Sequence, residues 1–237
     1  MVTSIAFALP TLQEQLEDPL AHLPHSRIVE YSRGQIVYDP HHQPAGLYLV
    51  IDGIVKVSQV SGQGRNVVID IYRADEFFGE AALLNQADGS EQAVVLERAR
   101  LMMWPTASLQ EIVVRRPRLA VALLQLLVQR TVTFKERIES LSEDTIERRL
   151  ARSLVRFAEH FGVLEDDGSL RMPPFTHELL AQYVCTSREV ITLYMTRFRR
   201  QGYLRYSRKG ISVYTVAFRD WLAQAGVEAL PQPVNSR

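Results

Sequence analysis

The segment from residue 176 to residue 213 constrains the fold most, because it contains two helical patterns separated by a very short step. Thr176 is a typical helix N-cap, and it opens about two turns of helix that end before Val184-Cys185-Thr186. A second helix begins with Thr186 or Ser187 as its cap, and Glu189 stands where it could close a capping box. This spacing predicts a helix-turn-helix.

The second helix has two unlike faces, and a hairpin follows it. Its apolar residues recur at helical spacing: Ile191, Tyr194, Met195 and Phe198. The opposite face carries Arg188, Glu189, Thr192 and Thr196. Gly202 ends the helix in the manner of a C-terminal glycine. The alternating segments 203–206 and 211–214 then flank Ser207-Arg208-Lys209-Gly210 and predict a β-hairpin with a basic tip.

Helix, turn, helix and basic hairpin together are the layout of a winged DNA-binding domain, whose second helix places its first side chains in the major groove. Domains that only bind protein can also combine two short helices with a hairpin, and this alternative stays open. Arg188 and Glu189 favour DNA. An arginine can make two hydrogen bonds to guanine, and a glutamate can accept one from cytosine.

The composition limits the class of protein. A length of 237 residues gives room for two domains and a connecting helix, and 46% hydrophobic residues indicate a globular chain. No apolar run is long enough to span a bilayer, and the N-terminus lacks a signal-peptide pattern. We therefore expect a cytoplasmic protein with no membrane partner. The single cysteine, Cys185, cannot form an intramolecular disulfide or a cysteine cluster for a metal.

The formal net charge of +0 hides two unlike halves of the chain. Acidic residues outnumber basic residues up to Asp144, whereas basic residues outnumber acidic residues between Ile146 and Asp220. Such asymmetry indicates one domain that binds phosphates and another that does not.

The first half of the chain has a period of two rather than a helical period. Turn signals such as Asp52-Gly53 and Ser61-Gly62-Gln63-Gly64 separate seven predicted strands: 27–31, 35–38, 46–51, 54–57, 66–72, 92–96 and 100–104. Many short strands at even spacing favour a β-sandwich or a β-barrel.

From Pro105 the pattern becomes helical, with a short helix that ends near Pro117 and a long helix after it. Along the long helix, seam residues recur at alternate steps of four and three: Ala120, Leu124, Leu127, Thr131, Phe134, Ile138 and Leu141. A seam of nearly three heptads favours a helix paired with its own copy in a homodimer. Packing of the seam on the chain's own β-domain is the alternative.

This order of parts resembles the cyclic-AMP receptor protein/fumarate–nitrate regulator family of bacterial transcription factors over roughly residues 25 to 216. The most specific similarities are Ser187-Arg188-Glu189, Phe78-Gly79-Glu80 and the segment 46–57. The resemblance implies an α+β protein in three parts. A double-stranded β-roll, the jelly roll of cyclic-nucleotide-binding domains, would cover 1–117, a dimerisation helix 118–144, and a winged helix-turn-helix 145–237.

The resemblance also implies a homodimer that binds a palindromic site in double-stranded DNA and recruits or blocks RNA polymerase, rather than an enzyme. It places base contacts at the head of the second helix: Arg188, Glu189, Thr192 and Leu193. Leu193 stands where the family commonly has a second arginine. We expect phosphate contacts from Thr176, His177, Thr186, Ser187, Thr196, Ser207, Arg208 and Lys209. Surface loops such as 165–169 are the expected polymerase contacts.

The effector positions depart from the family pattern. In members that bind cyclic nucleotides, an Arg-Ser or Arg-Thr after the Gly-Glu clamps the cyclic phosphate, but here Glu91-Gln92 stands in its place. A carboxylate there would repel a phosphate. The hydroxyl pair that reaches the adenine aligns with Phe134-Lys135. The resemblance therefore implies a degenerate pocket and no response to cyclic AMP: Gly79, Glu80, Glu91, Gln92 and Phe134.

Other functions are less well supported by the sequence. A β-roll pocket rebuilt for another small molecule, and a sensing module whose winged domain binds protein, remain alternatives. We find no nucleophile–base constellation that would predict an enzyme. Cys185 lies in the turn of the helix-turn-helix and His41-His42 in a turn between strands, and neither predicts a redox site, a metal site or a cofactor.

Overall fold

The computed structural model describes residues 16–60, 66–83, 90–207 and 209–224. Its N-terminal half is a β-roll whose strands are β1 (Ile28–Tyr31), β2 (Ile36–Tyr38), β3 (Gly46–Val60), β4 (Asn66–Tyr72), β5 (Phe77–Phe78) and β6 (Glu91–Pro105). The strands run antiparallel in the order β1-β6-β3-β4, with β2 paired to β6 and β5 paired to β3. The predicted α+β class is confirmed.

Three helices connect the two halves of the chain: α1 (Thr106–Arg115), α2 (Pro117–Glu143) and α3 (Ile146–Phe161). The junction between α2 and α3 is short and is held by Asp144. Its carboxylate accepts hydrogen bonds from the hydroxyl of Ser140 at 2.7 Å and from the guanidinium groups of Arg148 and Arg152 at 3.0 and 2.7 Å. Burial acts to raise the pKa of Asp144, but the bonds from Ser140 and Arg148 outweigh it and lower the pKa overall.

The C-terminal half is the predicted winged helix-turn-helix with an additional hairpin. It contains β7 (Val163–Leu164), β8 (Leu170–Met172), α4 (His177–Val184), α5 (Arg188–Arg200), β9 (Leu204–Ser207), β10 (Gly210–Val213) and α6 (Thr215–Gln224). The four strands form one antiparallel sheet in the order β7-β8-β10-β9. The sequence predicted only a loop at 162–168, because strands of two and three residues are too short to show alternation.

The sequence predicted two breaks between strands that the structure does not have. Segments 46–51 and 54–57 form the single strand β3, and segments 92–96 and 100–104 form the single strand β6. Gly53 is therefore a bulge and not a turn. It has a φ of +87°, and a Cβ there would lie 2.3 Å from the carbonyl oxygen of Arg98 in β6. The predicted turn at Ser61-Gly62-Gln63-Gly64 lies outside the described residues.

The β-roll and the C-terminal half share a buried core. Ile54, Val68 and Ile71 of the β-roll belong to the same cluster as Phe157 and Tyr183 of the C-terminal half. Two other clusters lie entirely before residue 145, so the boundary proposed between 144 and 145 is crossed by one of the three hydrophobic clusters.

Arg137 of α2 forms hydrogen bonds to both the β-roll and the C-terminal half. Its guanidinium donates to the carbonyl oxygens of Val68 and Ile69 in β4, each at 2.6 Å, and to that of Tyr183 in α4 at 2.8 Å. It also lies over the ring of Tyr183, 4.2 Å from the centroid. Ile69 has no partner in β3, because the register passes from Val68 to Asp70. An ion pair between Arg156 of α3 and Asp70, at 3.2 Å, adds to this contact.

No helix within the described ranges is both long enough and apolar enough to cross a membrane.

Arg137→Met should lower the free energy of unfolding by about 2 kcal/mol or more, because part-buried carbonyl groups lose charged donors. Chemical denaturation of the full chain measures this change, and hydrogen exchange at the amides of α4 reports the loosened contact. Arg118→Met makes the same substitution at a position of α2 that is 80% exposed. It should stay within about 0.5 kcal/mol of the wild type. Equal stability of the two variants would contradict the role given to Arg137.

Candidate nucleic-acid interface

The turn between α4 and α5 contains one residue in the left-handed conformation, Cys185. Thr176 caps α4 by accepting the N–H of Leu179 at 3.1 Å, and Cys185 ends the helix with a φ of +59°. Ser187 caps α5 and accepts the N–H of Val190 at 3.4 Å. The capping box predicted for Glu189 does not form, because Glu189 is the second residue of the helix and the box requires the third.

Glu189 remains a carboxylate at the head of α5. Hydrogen bonds from its own backbone N–H and from the hydroxyl of Ser187 lower its pKa. An ionised carboxylate can only accept hydrogen bonds. Glu189 and Arg188 are both exposed, on the side of α5 that faces away from the core.

The two faces of α5 are as the sequence predicted. Ile191, Met195 and Phe198 are fully buried, whereas Leu193 is 64% exposed. The helix ends in a Schellman motif, in which the N–H of Tyr203 bonds to the carbonyl of Phe198 and Gly202 has a φ of +81°. A leucine this exposed on the polar face of the helix is available to a partner outside the chain.

Two threonine hydroxyl groups on α5 donate their protons to their own helix. Thr192 donates to the carbonyl oxygen of Arg188 at 2.9 Å, and Thr196 donates to that of Thr192 at 2.8 Å. Each hydroxyl therefore presents lone pairs and a neighbouring methyl group. A phosphate oxygen needs a donor, so Thr196 would have to rotate before it could bind one.

His177, the first residue of α4, contacts both α5 and the hairpin that follows it. Its Nδ1 lies 2.8 Å from the hydroxyl oxygen of Thr192 in α5, and its Nε2 lies 3.0 Å from the hydroxyl oxygen of Tyr206 in β9. Burial, and then the positive charge of Arg188, lower the pKa of His177. Both ring nitrogens thus have partners inside the protein.

The wing is a tight hairpin between β9 and β10. The hydroxyl of Ser207 donates to the carbonyl oxygen of Gly210 at 3.2 Å and accepts the N–H of Lys209 at 3.2 Å. Gly210 has a φ of +146°, and a Cβ there would lie 2.1 Å from the carbonyl oxygen of Met172. Arg208 lies outside the described residues.

A network of side chains holds the loop 165–169 against the wing. The carboxylate of Glu165 accepts from the hydroxyl of Ser212 at 2.6 Å and pairs with Arg205 of β9 at 3.2 Å. Asp167 pairs with the same guanidinium at 2.9 Å and accepts from the hydroxyl of Tyr214 at 2.8 Å. Hydrogen bonds from Ser169, and then from Tyr214, lower the pKa of Asp167 to about 2.

At the expected effector pocket, Gly79 is required by the backbone. It has a φ of +83°, and a Cβ there would lie 2.8 Å from the ring of Tyr48 and 2.9 Å from the carbonyl oxygen of Gly46. Gly79 therefore acts as a structural residue of the β-roll.

Glu80 contacts the long helix rather than open space. It begins a single 3-10 turn, Glu80–Leu83, and its carboxylate forms an ion pair with Arg130 of α2. Arg130 also donates to the carbonyl oxygen of Phe77 and lies over the ring of Tyr72, 5.0 Å from the centroid. Glu80 thus neutralises an arginine of the same chain.

Glu91 faces the interior of the β-roll. Its carboxylate accepts the hydroxyl of the buried Tyr38 at 2.5 Å. Burial, followed by the charges of Glu91 and Glu80, raises the pKa of Tyr38, so both carboxylates act on one phenol. The ring of Tyr38 packs against Tyr48 and Phe78, with centroids 5.8 and 6.2 Å apart. Among the described residues, the expected pocket therefore contains the carboxylate of Glu91, the ion pair of Glu80 with Arg130, and packed aromatic rings.

The remaining pocket residues are half-buried. Gln92 pairs in register with Ser58 of β3. Phe134 lies on α2 and is half-buried, unlike the exposed members of the predicted seam.

The predicted seam of α2 faces away from the rest of the chain. Leu124 is 62% exposed and Ile138 is 66% exposed. Leu127, Thr131 and Leu141 are also exposed, and so are the neighbouring Val121, Val128 and Val132. The alternative prediction, that the seam packs on the chain's own β-domain, is therefore wrong.

Sequence reasoning missed three side chains that organise these sites. Arg130 and Arg137 interrupt the apolar pattern of α2 seven residues apart, on one face of the helix, and that spacing was a signal that they share a direction. Tyr206 gave no signal, because a tyrosine in a hairpin is an ordinary strand residue.

Comparison with known proteins covers both halves of the chain. A family model described as cyclic nucleotide-binding domain matches residues 28–116, and one described as Crp-like helix-turn-helix domain matches residues 148–218. The global nitrogen regulator of Synechococcus elongatus is 26% identical over 190 residues, which cover 79% of this chain and 86% of the relative.

Two further proteins show the same organisation. The CRP-like cAMP-activated global transcriptional regulator of Mycobacterium tuberculosis is 25% identical over 186 residues, which cover 78% of this chain and 83% of the relative. The solved structure of a CRP/FNR-family transcriptional regulator from Thermus thermophilus has a TM-score of 0.65 at 25% identity, and the match covers 84% of this chain and 98% of that one. On this evidence the chain belongs to the cyclic-AMP receptor protein/fumarate–nitrate regulator family of DNA-binding transcriptional regulators, which are not enzymes.

Proposed function

We propose that this regulator is a homodimer that reads a palindromic site in double-stranded DNA with α5 and does not respond to cyclic AMP. The observation that carries the proposal is the exposed first turn of α5, where Arg188 and Glu189 point away from the core beside the wing. This is the position from which a recognition helix contacts base edges.

Four side chains of α5 are assigned to base pairs. Arg188 supplies paired donors for guanine, and the ionised Glu189 supplies an acceptor for the amino group of cytosine. Thr192 offers its methyl group and lone pairs, because its proton is donated to Arg188. Leu193 offers an apolar surface, and the thymine methyl is the apolar feature of the major groove.

The phosphate contacts are assigned to the residues that border this surface. Thr176, Thr186 and Ser187 lie at the starts of α4 and α5, where backbone N–H groups suit an anion. Ser207 and Lys209 belong to the wing, and Arg208, which lies outside the described residues, is assigned from the sequence. His177, Thr196 and Ser207 are weaker assignments, since their side-chain polar atoms already have partners within the protein.

The dimer is assigned to α2. An exposed row of leucine, isoleucine and valine over five turns is unusual for a monomer, and a second copy of the same helix would cover it. We assign contact with RNA polymerase to the loop 165–169, where Asp166 is exposed while Glu165 and Asp167 are held by the wing.

The charges in the expected pocket support independence from cyclic AMP. A cyclic phosphate would meet the carboxylate of Glu91, and Arg130 is already paired with Glu80. The mycobacterial relative is named as cAMP-activated. At 25% sequence identity, that name does not assign the same ligand to this chain.

The double variant Leu127→Glu, Ile138→Glu should be monomeric, because two pairs of charges would be buried in the interface at a cost of several kcal/mol. Sedimentation equilibrium should give half the wild-type mass, and binding to a full palindrome should be lost. Val114→Glu is the control, since Val114 is 81% exposed on α1 and lies off the seam. A double variant that stays dimeric would show that α2 is not the interface.

Isothermal titration calorimetry with cyclic AMP up to millimolar concentration should give no saturable heat, because the carboxylate of Glu91 would repel the phosphate and Arg130 is already paired with Glu80. The cAMP-activated mycobacterial relative serves as the positive control in the same buffer. A micromolar dissociation constant for this chain would overturn the claim.

Selection from random duplexes should return half-sites that contain one strongly required G·C pair, next to positions that prefer thymine. The two half-sites should lie about one helical turn apart. Leu193→Arg should add a guanine preference at a single position, worth roughly 1–3 kcal/mol of discrimination, and should leave the rest of the site unchanged. Two G·C pairs required with equal stringency by the wild type would contradict the assignment of Leu193.

A further inference from the structure

His177 joins three elements of the DNA-binding domain through one side chain. It belongs to α4, while its two ring nitrogens reach Thr192 of α5 at 2.8 Å and Tyr206 of β9 at 3.0 Å. The recognition helix and the wing therefore have a common point of attachment, close to the first turn of α5.

The positions of the protons follow from the partners. Thr192 donates its hydroxyl proton to the carbonyl oxygen of Arg188, so its oxygen can only accept from His177. Nδ1 must then carry the imidazole proton, which leaves Nε2 as the acceptor for the hydroxyl of Tyr206. A neutral imidazole satisfies both partners, and burial and the charge of Arg188 favour that neutral form.

This arrangement restricts one residue assigned to DNA, Thr192, and one residue of the wing, Tyr206. The oxygen of Thr192 is held between His177 and the carbonyl of Arg188, which fixes the side of the helix on which its methyl group lies. The ring of Tyr206 stands 6.4 Å from that of His177, and its hydroxyl ties β9 to α4. Neither ring nitrogen of His177 is left for a phosphate.

We infer that His177 is a positioning residue that sets base preference through Thr192 and sets the position of the wing through Tyr206. The inference rests on the proposed reading of DNA by α5. In place of a direct phosphate contact, His177 makes two internal hydrogen bonds. The bond to Thr192 affects base preference, and the bond to Tyr206 affects the position of the wing.

Three substitutions at His177 distinguish the effect on base preference from the effect on the position of the wing. His177→Asn can place a donor near the position of Nδ1 and keeps the bond to Thr192, whereas His177→Gln reaches toward Tyr206 and keeps the bond to the wing. His177→Ala removes both bonds. Tyr206→Phe removes only the bond to the wing and should match His177→Asn, while His41→Ala, at an exposed histidine in a turn of the β-roll, is the control.

The experiment combines selection from random duplexes with the salt dependence of binding to the selected site, using the full chain. Loss of one neutral hydrogen bond should weaken base preference at the Thr192 position by roughly three- to tenfold in His177→Ala and His177→Gln but not in His177→Asn. The salt slope should fall in His177→Ala, His177→Asn and Tyr206→Phe, since a displaced wing makes fewer phosphate contacts.

Two results would overturn the inference alone. One is an alanine variant with the base preference and salt slope of the wild type. The other is an equal loss in all three His177 variants together with lower melting temperatures, which would indicate a purely structural histidine. A wild-type chain that selects no sequence would instead overturn the assignment of α5 to DNA together with this inference.

Discussion

Two arginines of α2 determine which side of that helix faces outward. Arg130 and Arg137 are seven residues apart and so lie on one face, the face that also carries the buried Leu119 and Ala122. Arg130 binds the β-roll at Phe77 and Glu80, and Arg137 binds β4 and α4. Because both side chains are charged and part-buried, leaving them without these partners would cost free energy. These contacts therefore hold the helix in one orientation about its axis, with its apolar seam exposed.

How well the sequence predicts a feature of this molecule depends on how far apart in the chain the interacting residues lie. The helix-turn-helix followed from the sequence because caps and the final glycine act within a few residues, as Thr176, Ser187 and Gly202 illustrate. The continuity of β3 did not follow. A glycine with positive φ suits both a turn and a bulge, and only pairing with β6, far along the chain, decides between them. Tyr206 was missed for the same reason, since its partner His177 is 29 residues away.

Stacked aromatic rings fill the core of the β-roll. Tyr38, Tyr48, Tyr72 and Phe78 stack in the core, with adjacent centroids between 5.1 and 6.2 Å apart. Stacked rings bury a large apolar area in little space. The guanidinium of Arg130 and the carboxylate of Glu80 are both part-buried, so separating them would cost free energy. The ion pair therefore stabilises the contact between α2 and the β-roll.

The same contacts connect the seam of α2 to the recognition helix. The junction between α2 and α3 is two residues long, and Asp144 within it binds both helices. Arg137 holds α4 against β4, and α4 carries His177, whose ring contacts α5 and the wing. Every link in this series is a side chain with partners at hydrogen-bond distance. The position of α5 relative to α2 is thus set by packed, paired groups and not by a flexible linker. In a two-fold dimer through α2, the distance between the two copies of α5 would then be a property of the folded chain, and with it the spacing of the two half-sites that they can read.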